Sequence, residues 1–138
     1  MNSIKSAAVA LVAMFGLAAV VSADDAAGKL PPASTRQGVT YATDIKAILD
    51  NSCVKCHGGD KPKAHLKLDT LENTLKGSKD GKVVIAGDSA RSMLVKAVAH
   101  LSADKDTWMP PLHNRANIGP LTPDQIGLLR AWIDQGAK

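Results

Sequence analysis

The stretch Cys53-Val54-Lys55-Cys56-His57 decides how the rest of the chain is read. It holds the only two cysteines among 138 residues, three positions apart, with a histidine directly after the second. Residues i and i+3 lie on one side of a helical turn, and residue i+4 lies there too. Both thiols and the imidazole can therefore address a single flat group. Two thiols at this spacing can reach the two vinyl groups along one haem edge and form thioethers, while His57 reaches the iron. This is the c-type haem attachment signature. For this composition two cysteines fall three apart about once in 70 arrangements, and a histidine follows directly about once in 34. The joint chance is about 1 in 2,400, well beyond a casual motif match.

Three other readings of the pair are weaker. Two cysteines this close form no disulfide framework, which excludes a stapled secreted mini-protein. A thioredoxin-like redox pair needs a βαβ context, and no strand-like alternation appears in the chain. A structural zinc site needs four ligands, usually in two clusters, and there is no second Cys-x-x-Cys.

Upstream of the motif, Tyr41, Ile45, Ile48 and Leu49 fall at i, i+4, i+7 and i+8, one face of a helix leading into it. Downstream, Asp69 with Glu72 reads as a capping box, and Gly77 as the stop of a short helix. Asp88 or Ser89 is expected to cap a third helix, with Met93, Leu94, Ala97, Val98 and Leu101 as its apolar stripe. The clearest helix is the last. Thr122 caps it, Pro123 takes its first position, Gln125 completes a capping box, and Gly136 ends it. Ile126, Leu129, Trp132 and Ile133 line one face of it. Between the last two helices, residues 102–121 form a long loop with Pro110, Pro111, Gly119 and Pro120. Long loops of this kind in small domains are often functional.

Residues 1–23 read as a secretory signal peptide: Lys5, an apolar run from Ala7 to Val21, and small residues at Val21-Ser22-Ala23. The run is shorter than a membrane-spanning helix needs and ends at Asp24-Asp25. Cleavage after Ala23 places the protein in the periplasm, or exports it otherwise, with no stable membrane insertion. Residues 24–39, rich in Ala, Pro, Ser and charge, read as a flexible N-terminal tail. Residues 40–138 form the domain. Hydrophobic residues make up 45% of the chain, too many for wholesale disorder, but aromatics only 3%. Losing the leader removes Phe15 and leaves Tyr41, Trp108 and Trp132. A small domain short of large side chains gains core from a bound cofactor.

An iron held by one histidine has a second face, whose occupant decides between electron transfer and ligand binding. The candidates are Met93, Met109, His65, His100 and His113, or no residue at all. Met109 is favoured, because Trp108-Met109-Pro110-Pro111 lies in the long loop and the prolines stiffen an extended segment around the thioether. Met93 sits on a helix stripe where methionine usually fills core. Methionine opposite histidine raises the reduction potential and closes the iron to outside ligands.

The residues Tyr41–Leu49 (YATDIKAIL) and Cys53–Gly59 (CVKCHGG) resemble class I c-type cytochromes, most closely the short cytochrome c domains of planctomycetes. Leu66–Leu71, Val84–Asp88, Met93-Leu94, Met109–Pro111 (MPP) and Leu121–Ala137 continue the resemblance. It covers nearly all of 41–137. It implies an all-α class I cytochrome c fold, about four helices wrapped around one covalently bound haem c, with the N- and C-terminal helices crossing. It implies Cys53 and Cys56 as attachment sites, His57 as proximal iron ligand and Met109 as distal iron ligand. Leu112–Pro120 is longer than the family's usual link and is expected to bring His113 near the haem rim.

The function expected is single-electron transfer between redox proteins by an exported monohaem cytochrome. No catalytic acid–base or nucleophile pair stands out, so no enzyme is expected. The rivals are a haem domain with a labile distal ligand that binds small gases or peroxide, and a docked subunit of a larger oxidoreductase. Lys55, Lys61, Lys63, Lys67, Lys76, Lys79 and Lys82 crowd one region of a chain with formal charge +4. They read first as a solvated face, and second as a docking face for acidic redox partners. An exported chain without interleaved aromatics is not a nucleic-acid binder.

Overall fold

A computed structural model describes residues 30–138. The expected signal peptide over 1–23, and residues 24–29 of the expected tail, lie outside the described residues. Four α-helices form among them: α1 (Lys46–Ser52), α2 (Leu71–Lys76), α3 (Met93–Val98) and α4 (Pro123–Asp134). No strand forms among the described residues; one isolated bridge joins Ser78 and Gly81. The class is all-α.

α4 is the spine. Thr122 accepts from the Gln125 amide and Gln125 reaches back to the Thr122 amide, so both halves of the capping box close. Its buried face carries Ile126, Leu129, Trp132 and Ile133, the last three fully enclosed. Trp132 is the largest buried side chain, and its indole N–H donates to the Lys138 carbonyl at 3.0 Å. α3 and the N-terminal helical segment both pack on α4. The N-terminal segment starts as a π-helical turn, Tyr41–Ile45, before running into α1. Thr40 caps that turn. Tyr41, Ile45, Ile48 and Leu49 are all buried, and the Tyr41 ring lies 6.0 Å from that of Trp132, tilted by 52°. The predicted apolar face therefore points where the spacing requires.

Two caps differ from the sequence reading. α2 is capped by Thr70, whose hydroxyl accepts from the Asn73 amide at 3.1 Å, while Asp69 holds the Asn73 side chain at 2.8 Å. Thr70 already has the extended backbone a cap requires, so Asp69 falls one position too early. α3 starts after Ser92, not Asp88 or Ser89. Those residues instead shape the turn before it: the Asp88 carboxylate accepts from the Arg91 amide, and Ser92 donates to the Asp88 carbonyl at 2.8 Å. The later start rotates the stripe. Leu94, Val95, Ala97 and Val98 are buried, whereas Met93 and Leu101 are exposed.

The segment read as a flexible tail takes a defined course from Leu30 onward. It runs along α4, with the Ser34 amide on the Gly127 carbonyl at 2.9 Å and Arg130 on the Pro31 carbonyl at 2.6 Å. The Gln135 amide side chain donates to the Arg36 carbonyl at 2.8 Å. Val39 enters the core. Gly127 makes the approach possible, because a Cβ there would stand 2.7 Å from the Pro32 carbonyl oxygen.

Candidate functional site

α1 ends where the motif begins, and a second turn carries it. The Cys53 amide still closes on Leu49, and the Cys56 and His57 amides both donate to the Cys53 carbonyl, at 3.1 and 2.9 Å. The two cysteines and the histidine therefore sit on one hydrogen-bonded turn of backbone. Cys53 and His57 are buried and Cys56 is half-buried. Ile48, Leu49, Leu66 and Leu68 belong to the same apolar core as Cys53.

The loop after the motif folds back over His57. The Lys63 amide donates to the Cys56 carbonyl at 3.0 Å and the Leu68 amide to the His57 carbonyl at 2.8 Å. Ala64 and His65 take left-handed backbone to make that return. It brings the Lys63 carbonyl to 3.2 Å from His57 Nδ1. A carbonyl only accepts, so Nδ1 carries the proton and Nε2 keeps its lone pair. Burial, and secondarily the charge of Lys63, lowers the His57 pKa from its ordinary value against the opposing backbone hydrogen bonds. The imidazole is therefore neutral near pH 7, the form that ligates a metal.

The thiols do not suit the redox-pair rival. Burial first, and then the neighbouring Cys56, pushes the Cys53 thiol up to about 12. An exchange-active cysteine needs the opposite shift. The zinc rival lacks ligands: among the described residues no three His, Cys, Asp or Glu side chains are grouped to hold a metal ion. One buried and one half-buried thiol, beside a histidine with one committed and one available nitrogen, do fit covalent haem.

The sixth-ligand candidates are widely separated in environment. Met109 is half-buried, its side chain packs on the core, and its amide donates to the Ala97 carbonyl at 3.0 Å. Met93, His65 and His113 are exposed. His113 lines an open surface cavity of about 560 Å³ with Leu112, Asn114, Arg115 and Ile118. His100 is half-buried, stacked on Trp108, and its Nε2 lies 3.2 Å from the Pro110 carbonyl.

Residues 53–113 match the family described as Planctomycete cytochrome C. Over that span the chain is similar to planctomycete-type cytochrome c domains. Cytochrome c domains bind haem iron and serve electron transfer, and the Cys53–His57 turn lies within the matched residues. Comparison with curated proteins and with solved structures gives no match. Around this turn the lysines at 55, 61, 63, 76, 79 and 82 are exposed and Lys67 is half-buried; Lys79 pairs with Asp80 at 2.9 Å.

Sequence reasoning missed two parts of the site. The Lys63 carbonyl that sets the His57 tautomer is a backbone atom and leaves no residue-type signal. The His100–Trp108 stack joins residues from two elements, and only the unusual Trp before Met-Pro-Pro hinted at it.

Proposed function

We propose that the protein is an exported monohaem c-type cytochrome that passes single electrons between redox proteins. The observation that carries the reading is the Cys53–His57 turn, with the His57 Nδ1 committed to the Lys63 carbonyl. When bound, haem supplies a one-electron ferrous/ferric couple. Cys53 and Cys56 would hold it, each thiol adding its sulfur and its hydrogen across one vinyl double bond. His57 would offer Nε2 to the iron, oriented by its hydrogen bond to Lys63. Met109 would offer its thioether as the second iron ligand, closing the iron to small ligands. Ile48, Leu49, Leu66 and Leu68 keep water from the attachment turn.

The leader over 1–23 supports export to the periplasm, where haem attachment takes place in bacteria. The exposed lysines supply a cationic face that an acidic redox partner would meet, which speeds encounter at low salt.

The test is the visible spectrum of the exported, purified protein in its reduced form, with and without carbon monoxide. Covalent haem whose spectrum ignores carbon monoxide is expected. A shift on adding the gas would move the reading to a ligand-binding haem domain with a labile distal side. A colourless protein after expression with a working maturation system would overturn it.

A further inference from the structure

The C-terminus of α3 closes through a left-handed residue. The Leu101 amide donates to the Lys96 carbonyl at 2.9 Å and the His100 amide to Ala97 at 3.1 Å, the paired hydrogen bonds of a Schellman closure. The left-handed residue is His100, with φ 55. Glycine is the usual occupant of that position, because a Cβ there crowds the next carbonyl. A side chain kept in such backbone is held by contacts that outweigh the conformational cost.

His100 has two such contacts, and both fall on the residues flanking Met109. Its ring stacks on Trp108, with centroids 5.1 Å apart and planes 5° from parallel. Its Nε2 lies 3.2 Å from the Pro110 carbonyl, which only accepts, so the imidazole donates there. Met109 itself is tied to the same helix end through its amide on the Ala97 carbonyl. Trp108 is fixed in turn by its indole N–H on the Ser102 carbonyl at 3.0 Å, with the Lys105 ammonium 5.6 Å from the ring centroid.

We infer that His100 is a positioning residue: with Trp108 it clamps the segment that presents Met109, and it is not itself an iron ligand. The inference rests on the reading of Met109 as distal ligand. Nε2 of His100 is spent on Pro110 and one face of its ring is covered by Trp108. A thioether on a long loop binds well only if the loop is ordered beforehand, and the clamp orders it from both sides.

The experiment uses the full-length, haem-loaded protein and the His100→Gly variant. Glycine suits the left-handed backbone, so a merely structural role for His100 predicts little change or a gain in stability. The clamp predicts about tenfold faster hydrogen exchange at the Met109 amide, from one hydrogen bond and one stack removed. It also predicts about tenfold faster cyanide binding to ferric iron and a weaker thioether-to-iron charge-transfer band, with α4 amides unchanged. Should His100→Gly not accumulate, Trp108→Leu removes the stack alone and is expected to raise both rates about threefold. Unchanged Met109 exchange and cyanide rates in these variants overturn the clamp. Met109→Ala separates the two readings. If its ferric spectrum and cyanide rate equal those of the unaltered protein, the distal-ligand reading falls and takes the clamp's purpose with it. Exchange in His100→Gly reports on the clamp independently.

Discussion

Asp44 shows how one residue can tie the start of a helical turn to the segment just before it. Its carboxylate accepts from the Thr40 amide at 2.9 Å and the Thr43 hydroxyl at 2.6 Å, and meets the Arg36 guanidinium at 2.7 Å. The Thr43 and Thr40 hydrogen bonds, with Arg36 adding, hold its carboxyl below the usual carboxylate range against the effect of burial. A depressed carboxylate pKa stabilises the fold above the unfolded-state value of about 3.9, and the contribution is lost as pH falls through the lower folded value. Asp44→Asn should therefore lower Tm at neutral pH and flatten its decline in acid. Thermal melts of both proteins from about pH 7 to about pH 2 check this; parallel curves would remove Asp44 from the acid response. The Cys53–His57 turn was legible in the sequence, because Cys-x-x-Cys-His is a signal of residue type and spacing. The His57 tautomer was not, since it depends on a carbonyl delivered by a loop.

At the level of elements, α4 was read correctly from Thr122 to Gly136 because its cap, proline and stripe are all local signals. α2 and α3 are six residues each. In helices that short, tertiary contacts outweigh propensity. The start of α3 is set by Ser92, whose hydroxyl accepts from the Ile85 amide at 2.9 Å. That is a contact across a loop, and it turned Met93 outward. Gly127 is a further case. On propensity alone Gly127→Ala would favour α4 by about 1 kcal/mol. The added Cβ would instead meet the Pro32 carbonyl at 2.7 Å. The expected outcome is displacement of the 30–39 segment, read as faster exchange of the Ser34 amide and earlier proteolysis before Val39. A more stable protein with Ser34 still protected would show that the strap yields at no cost.

Across the whole molecule, Arg130 joins three parts of the chain. It donates to the Pro31 carbonyl and, at 3.1 Å, to the Ser89 hydroxyl, which itself bonds Asp134 at 2.9 Å. The strap, the turn before α3 and α4 are thereby locked together at one face. Arg130→Ala should cost about 1–3 kcal/mol, since it leaves half-buried acceptors unpaired. Urea titration should show a lower midpoint with little change in slope, and an unchanged midpoint would reduce the cluster to surface decoration.

The sequence by itself determined the all-α class, the Cys53–His57 turn and the last helix. Each is written in residues close together along the chain, where spacing and capping act directly. The tertiary structure alone decided the course of residues 30–39, the faces of the short helices and the partners of His57 and His100. These depend on backbone groups brought together from far apart, and a carbonyl has the same chemistry in every residue.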